Sequence, residues 1–356
     1  MTDIISLPVL HPRTDTIQIA ILHGPRDLRI EEHPLETDNL GPRQIWTRTR
    51  ISALKIGTDR GNFEGAEQVP GAPDFPRWVG DSNLGIVAGV GSQVSEFAVG
   101  DRVVANLPHQ SDLVIDADGP VVKVPEEIGD EDAVYAWLAA LSALCYRKAA
   151  FAPGENVAVV GLGVLGLGAV ALGPLMGART IAVGNSPVRL EMAQAIGAHA
   201  GFLYNDTDLD SRLDEFTRGQ GIDLVILTAN PWPAHRTALE IVRPGGRVAI
   251  VALSGRGEPP LDFNPLSMEL FYNKGISLVA VSHAAPNSYP ADDRDRFDRK
   301  NAVAYVLDLM ADGALKPSDL ITHRMPFTEM ATAYEMIDRR EKSMLGVIFE
   351  WDRHDD

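Results

Sequence analysis

Over residues 17–126 the chain alternates short apolar runs with turn residues: TIQIAIL, LRIEEH, QIWTRTRIS, GIVAGVG, DRVVAN, LVIDA and VVKVP. β-Branched residues, partial period-two alternation and intervening Gly, Pro and Asp predict a series of short antiparallel strands in a barrel-like unit. From Asp130 to Ala150 the pattern changes to an Ala- and Leu-rich stretch that starts acidic and ends basic, which predicts a long helix with charges suited to its dipole. After Pro153-Gly154 the apolar runs become nearly continuous: ENVAVVG, RTIAVGN, IDLVILTAN, GRVAIVAL and ISLVAVS. Such runs suit strands buried on both faces of a parallel sheet, and helix-length segments such as VRLEMAQAIGA and HRTALEIVR lie between them.

This alternation predicts an α/β chain with a doubly wound parallel sheet over roughly 151–286. The last seventy residues predict a helix near 298–312, a strand near 320–326, a helix near 328–338 and a strand near 345–351. That tail is too short for its own core, so the expected organisation is one unit of residues 1–150 completed by 287–356, with 151–286 inserted as the second.

Charge narrows the partners. The 356 residues carry 49 acidic against 32 basic side chains, a net charge of −17, which opposes binding to nucleic acid or to an anionic membrane surface. A phosphate-bearing ligand must therefore find a local site of backbone N–H groups and a few basic residues. A single cysteine, Cys145, excludes an internal disulfide or a zinc site of several thiolates and reads as a buried helix residue. The N-terminal MTDIISLPVLHPRTD has no basic start and no long apolar run, and the apolar stretch Val157–Met176 is interrupted by glycines. The expected compartment is cytoplasmic.

Gly161-Leu-Gly163-Val164-Leu165-Gly166 places GxGxxG directly after a strand and before a helix. In that context Gly161 makes the tight turn, Gly163 leaves room for a pyrophosphate, and Gly166 lets helix and strand pack closely. The helix start supplies the positive end that an acidic chain otherwise lacks. An acid at the end of the second strand would hold the ribose 2′-OH of NAD(H), but the chain reads Gly184-Asn185-Ser186-Pro187-Val-Arg189 there. The missing acid favours NADP(H), with NAD(H) as the alternative: Asn185, Ser186 and above all Arg189 offer donors to a 2′-phosphate. Ser186-Pro187 is also a good N-cap and first-turn pair. Thr228 and Leu253, at the ends of later strands, complete the expected cofactor set.

With these residues in place, the whole chain resembles the medium-chain dehydrogenase/reductase superfamily. The resemblance rests on ordered landmarks: HGPRDLRIEEHPL, ALKIGTDRGNFEG, GIVAGVGSQVSEFAVGDRVV, GLGVLGLG, RPGGRVAIVAL and ITHRMPFTEMATAYEMID. It implies a GroES-like β-barrel catalytic domain completed by the C-terminus, a Rossmann cofactor domain, a small-molecule substrate, and a homodimer or homotetramer. Zinc-dependent members carry metal ligands at places matched here by Ile56, Asp81-Ser82 and about Leu138, and a four-cysteine lobe that is missing around Asn106–Asp112. Two apolar side chains cannot ligate zinc and one carboxylate cannot hold it. The expectation is a zinc-independent oxidoreductase with no bound metal.

Without zinc, the charge that hydride transfer builds on an oxygen needs a hydrogen-bond donor or proton source. Thr58 matches the family's proton-passing hydroxyl. Lys55 and Asp59 flank it, and Lys55 can stabilise an alkoxide or enolate. Asp81 replaces a metal ligand as a candidate base. His109, in the shortened PHQ loop, is the candidate proton shuttle, since imidazole titrates near neutrality. His283 is placed near the nicotinamide, while Trp137 and Phe271 are either pocket lining or core. The resulting reading is NADP(H)-dependent hydride transfer to or from an alcohol/carbonyl pair. An enoyl or quinone reductase acting on a conjugated C=C and a non-catalytic cofactor-binding relative stand as alternatives.

Overall fold

The computed structural model describes residues 15–35, 37, 39–65, 74–255, 258–281 and 299–351. His283, residues 66–73 and the residues from 282 to 298 therefore lie outside the described residues, and with His283 its expected place near the nicotinamide.

The N-terminal half opens with strands β1 (Asp15–Leu22), β2 (Leu28–Leu35) and β3 (Gln44–Leu54), then helix α1 (Ile56–Glu64). Strands β4 (Arg77–Trp78), β5 (Asn83–Val90), β6 (Arg102–Ala105), β7 (Asp112–Asp116) and β8 (Val121–Lys123) follow. β1 pairs antiparallel with β2 and β4, while β3 pairs with both β5 and β7. The single helix expected over 130–150 is divided into α2 (Asp130–Ala133) and α3 (Ala136–Lys148). The division falls where the Val134 carbonyl accepts the Ser82 hydroxyl and the Tyr135 hydroxyl reaches the Val347 carbonyl. Contacts to the residue that precedes β5 and to Val347 near the C-terminus thus override continuous helix propensity.

The alternating region then runs β9 (Asn156–Val160), α4 (Val164–Leu175), β10 (Arg179–Gly184), α5 (Pro187–Ala195), β11 (Ala200–Leu203), α6 (Leu209–Thr217), β12 (Ile222–Leu227), α7 (Trp232–Ile241), β13 (Val242–Ile250) and β14 (Ser277–Ala280). These six strands form one parallel sheet in the order β11-β10-β9-β12-β13-β14, the order of a dinucleotide-type doubly wound sheet. Every residue of the central β9 is buried, as its uninterrupted apolar run requires. The order reverses beside β9, which puts the crevice at the glycine turn.

The tail adds α8 (Arg299–Ala311), β15 (Ile321–Pro326), α9 (Met330–Asp338) and β16 (Gly346–Glu350). β16 lies antiparallel to β3, with Val347 opposite Leu54 and Glu350 opposite Ile51. The last strand thereby supports the segment that ends at Lys55. Helix α3 is buried on nearly every face, packed against α4 and α8. Its approach to α4 is close because Gly168 has no side chain: a Cβ there would lie 3.0 Å from Ser142 Oγ. No helix among the described residues is long and apolar enough to cross a membrane.

Candidate active site

The three turn glycines have separable tasks. Gly161 has φ +101°, and a Cβ there would lie 2.8 Å from the Ala229 nitrogen. A Cβ at Gly166 would lie 1.9 Å from the Gly161 carbonyl oxygen, so that position is closed by packing. A Cβ at Gly163 would meet nothing within 4 Å, so the space is on the ligand side. The first bond into α4 runs from Leu167 N–H to the Gly163 carbonyl, which leaves the N–H groups of Val164, Leu165 and Gly166 ahead of the ladder. Such a cradle fits a pyrophosphate. Thr228 donates its hydroxyl to the Gly161 carbonyl at 2.8 Å, fixing the turn from β12. Leu253 is held through its N–H to Asn230 Oδ1 at 3.0 Å, a support that sequence reasoning missed.

At the end of β10, Gly184 faces Leu162, whose Cδ1 would be 2.7 Å from an added Cβ. Asn185 is exposed. Ser186 occupies the N-cap position of α5 with Pro187 in the first turn, yet its hydroxyl makes no capping bond. Arg189 donates to the carbonyls of Leu162 at 3.3 Å and Met344 at 3.1 Å.

The catalytic candidates gather at the junctions β3–α1 and β4–β5. Lys55 Nζ donates to Asp81 Oδ2 at 2.8 Å, with side-chain exposures of 12% and 37%. Below this pair Asp59 is fully buried. Its carboxylate accepts the Lys55 N–H at 2.7 Å, the Gly80 N–H at 3.2 Å and the Tyr334 hydroxyl at 2.9 Å. Asp59 thus fastens together the two chain segments that carry Lys55 and Asp81, and Asn106 fixes the second by donating to the Asp81 carbonyl. Burial and the neighbouring Asp81 charge push Asp59 up to about 6. Its flanking position in ALKIGTD was visible in the sequence; its partners lie 21 and 275 residues away and were not. Thr58 is half-buried on α1, beside exposed Gly57.

His109 departs from the expected shuttle. It is fully buried, its Nδ1 lies 2.9 Å from Ser52 Oγ, and its ring meets Phe349 edge-on at 5.4 Å. Trp351 Nε1 donates to the same Ser52 hydroxyl at 2.8 Å. Gly80, at φ +83°, passes so close that an added Cβ would be 2.2 Å from the ring. Burial holds His109 down at about 4, so it is a neutral core imidazole at neutral pH. Trp137 is likewise buried in the core, and Phe271 packs against the core of the parallel sheet.

At the matched metal positions, Ile56 packs against an apolar cluster and Leu138 is buried among apolar residues. The carboxylate between them, Asp81, is paired with an ammonium. Among the described residues no three His, Cys, Asp or Glu side chains are grouped to hold a metal ion.

Residues 164–296 match the family model described as zinc-binding dehydrogenase. Sorbitol dehydrogenase of Bacillus subtilis (strain 168) is 28% identical over 357 residues, covering 91% of this chain and 94% of that protein. The NADP-dependent isopropanol dehydrogenase of Thermoanaerobacter brockii is 33% identical over 218 residues, covering 51% of this chain and 61% of its own. The crystal structure of galactitol-1-phosphate dehydrogenase from Escherichia coli superposes with a TM-score of 0.78 at 18% identity, covering 94% of this chain and 99% of that one. The chain is thus similar to zinc-type, alcohol dehydrogenase-like proteins in sequence, and it shares the fold of galactitol-1-phosphate dehydrogenase.

Proposed function

We propose that the protein is an NADP(H)-dependent, zinc-independent dehydrogenase that interconverts an alcohol, of the polyhydric kind named among its relatives, and the matching carbonyl. The observation that supports the zinc-free part is the Lys55–Asp81 pair: the one carboxylate among the three positions matched to metal ligands already holds an ammonium. The donor set does not fit zinc: Ile56 and Leu138 are apolar, and Asp81 already has a cationic partner. The dinucleotide part is supported by the open cradle at Gly163 and the uncommitted N–H groups of the first turn of α4. The preference for NADP(H) follows from Gly184, which removes the acid that would repel a 2′-phosphate, and from Ser186, whose hydroxyl is not used as a cap.

The nicotinamide, when bound, gives or takes the hydride. The chain's own residues then manage the oxygen. Lys55 donates a hydrogen bond to the substrate oxygen as negative charge grows on it, and Asp81 keeps that ammonium oriented. Thr58 relays the proton between the substrate oxygen and solvent. Its hydroxyl gives a proton to the oxygen during reduction and recovers one from water, and the relay runs the other way during oxidation. Asp59 holds Lys55 and Gly80 in register through their N–H groups.

Deuterium-labelled NADPH tests the reaction type. Label arriving on a carbinol carbon supports alcohol/carbonyl chemistry. Label on the β-carbon of an enone would assign the enzyme to C=C reduction instead.

A further inference from the structure

Among the described residues, several partly buried arginines meet an acid: Arg102 lies 2.7 Å from Asp130 and Arg247 lies 2.6 Å from Glu155. Arg189 does not. Its half-buried guanidinium is held by two backbone carbonyls, and among the described residues no carboxylate pairs with it. Burial lowers its pKa, as expected of a cation short of counter-charge. In a chain of net charge −17 that shortage is a local feature, not a shortage of acids.

The two carbonyls belong to different parts of the fold. Leu162 sits between Gly161 and Gly163, in the turn whose open cradle fits a pyrophosphate. Met344 lies in the turn that leads into β16, the strand that pairs Val347 with Leu54 beside Lys55. Arg189 therefore spans the cofactor cradle and the sheet that carries the catalytic candidates. Its guanidinium lies back against the glycine turn instead of reaching outward past Asn185 and Ser186.

We propose that Arg189 is a positioning residue that ties the glycine turn to the Met344 turn and gives its charge to the phosphates shared by NAD(H) and NADP(H), not to the 2′-phosphate alone. This rests on the dinucleotide reading above. A bidentate-capable guanidinium held by neutral carbonyls gains most from an anion arriving at the turn. Arg189 already links the two turns, so an anionic partner at the glycine turn would hold the guanidinium more firmly and stiffen the segment entering β16.

The test uses the intact protein and Arg189→Ala and Arg189→Lys variants. Calorimetric binding of NAD⁺ and of NADP⁺ is measured, together with amide hydrogen exchange over residues 344–349 with and without cofactor. The expected result for Arg189→Ala is a similar loss of affinity for both cofactors, about tenfold to a hundredfold, the usual worth of a charged hydrogen bond. Exchange at 344–349 should also be faster in the cofactor-free variant, and Arg189→Lys should restore part of each effect. Loss confined to NADP⁺, or exchange at 344–349 unchanged in cofactor-free Arg189→Ala, would overturn the proposal. If the unsubstituted protein bound neither cofactor, the dinucleotide reading itself would fail and the proposed charge transfer to phosphate with it. The cofactor-free exchange would still decide the tie.

Discussion

The ammonium of Lys55 sits 2.8 Å from the carboxylate of Asp81, joining the β3–α1 junction to the segment that leads into β5. Lys55 is largely buried while Asp81 remains 37% exposed, so the pair is partly screened by water. Lys55→Met keeps the length of the side chain and deletes its charge. If the ammonium stabilises the developing oxyanion, the chemical step should slow by about 10²–10³-fold with cofactor affinity unchanged. Asp81→Asn should also destabilise the fold, by roughly 1–2 kcal/mol, because it strands a mostly buried ammonium. Single-turnover kinetics and chemical denaturation read the two effects separately.

The same geometry predicts that the purified protein holds no stoichiometric zinc and that chelators leave its turnover intact. Two of the three matched positions are apolar and the third is neutralised by Lys55. Elemental analysis is the direct check. One tightly held zinc per chain would show that a donor set other than Ile56, Asp81 and Leu138 binds it.

The glycine turn offers a comparison in which folding and binding separate. Gly163→Ala adds a methyl group that touches no protein atom within 4 Å, on a backbone with φ −80° that alanine accepts. Thermal stability should be nearly unchanged, while dinucleotide affinity should fall by about tenfold or more, since the methyl group takes the phosphate's space. Gly166→Ala forces a methyl group to 1.9 Å from the Gly161 carbonyl and should lower stability itself. Gly184→Asp should shift preference toward NADH, with Gly184→Ala as the control for the close Leu162 side chain.

Much of the fold was legible because periodicity reports burial. The five continuous apolar runs became β9, β10, β12, β13 and β14, while the short β11 went unread, and the tail's expected strand near 345–351 is β16. The glycine turn was legible because each glycine's task depends on neighbours close in sequence or on the standard geometry of one supersecondary unit. The catalytic region was harder. Nothing local announces that Asp59 will be sealed under Tyr334 and Gly80, or that the PHQ histidine will turn inward onto Ser52 and Phe349. The Tyr334 and Phe349 contacts come from the packing of α9 and β16 against α1 and β3, whose residues lie nearly three hundred positions apart. That Arg189 reaches both the glycine turn and the Met344 carbonyl was not legible, because Met344 approaches it only through the tertiary fold.

Thr58 is half-buried on α1, close in sequence to the Lys55 and Asp59 positions that the structure brings together with Asp81. Thr58→Val preserves its shape and removes the hydroxyl. The expected outcome is a roughly 10²–10³-fold slower chemical step with cofactor binding unaltered. Full turnover by this variant on the true substrate would remove Thr58 from the proton path.

Asp59 and His109 should oppose one another in the pH dependence of stability. For Asp59 the folded pKa is raised, from 3.8 to about 6, so the folded state holds its proton more tightly than the unfolded chain does. Stability from this group is therefore greatest at low pH and is lost as pH rises from about 4 to about 6, by about 3 kcal/mol at one proton per group. For His109 the folded pKa is depressed, from 6.5 to about 4, so the unfolded chain binds the proton more tightly. Its contribution has the other sign: stability is gained as pH rises from about 4 to 6.5, by a similar amount. The two slopes nearly cancel across the window they share. Asp59→Asn should leave the histidine slope exposed, so that stability climbs with pH, and His109→Gln should leave the carboxylate slope, so that stability falls. All other titrating groups are common to the three proteins and drop out of the differences. Denaturant unfolding of each protein between about pH 4 and pH 6 measures both slopes. Parallel curves for the unsubstituted protein and either variant would mean that the substituted group has the same pKa folded and unfolded, contrary to its sealed position beside Gly80.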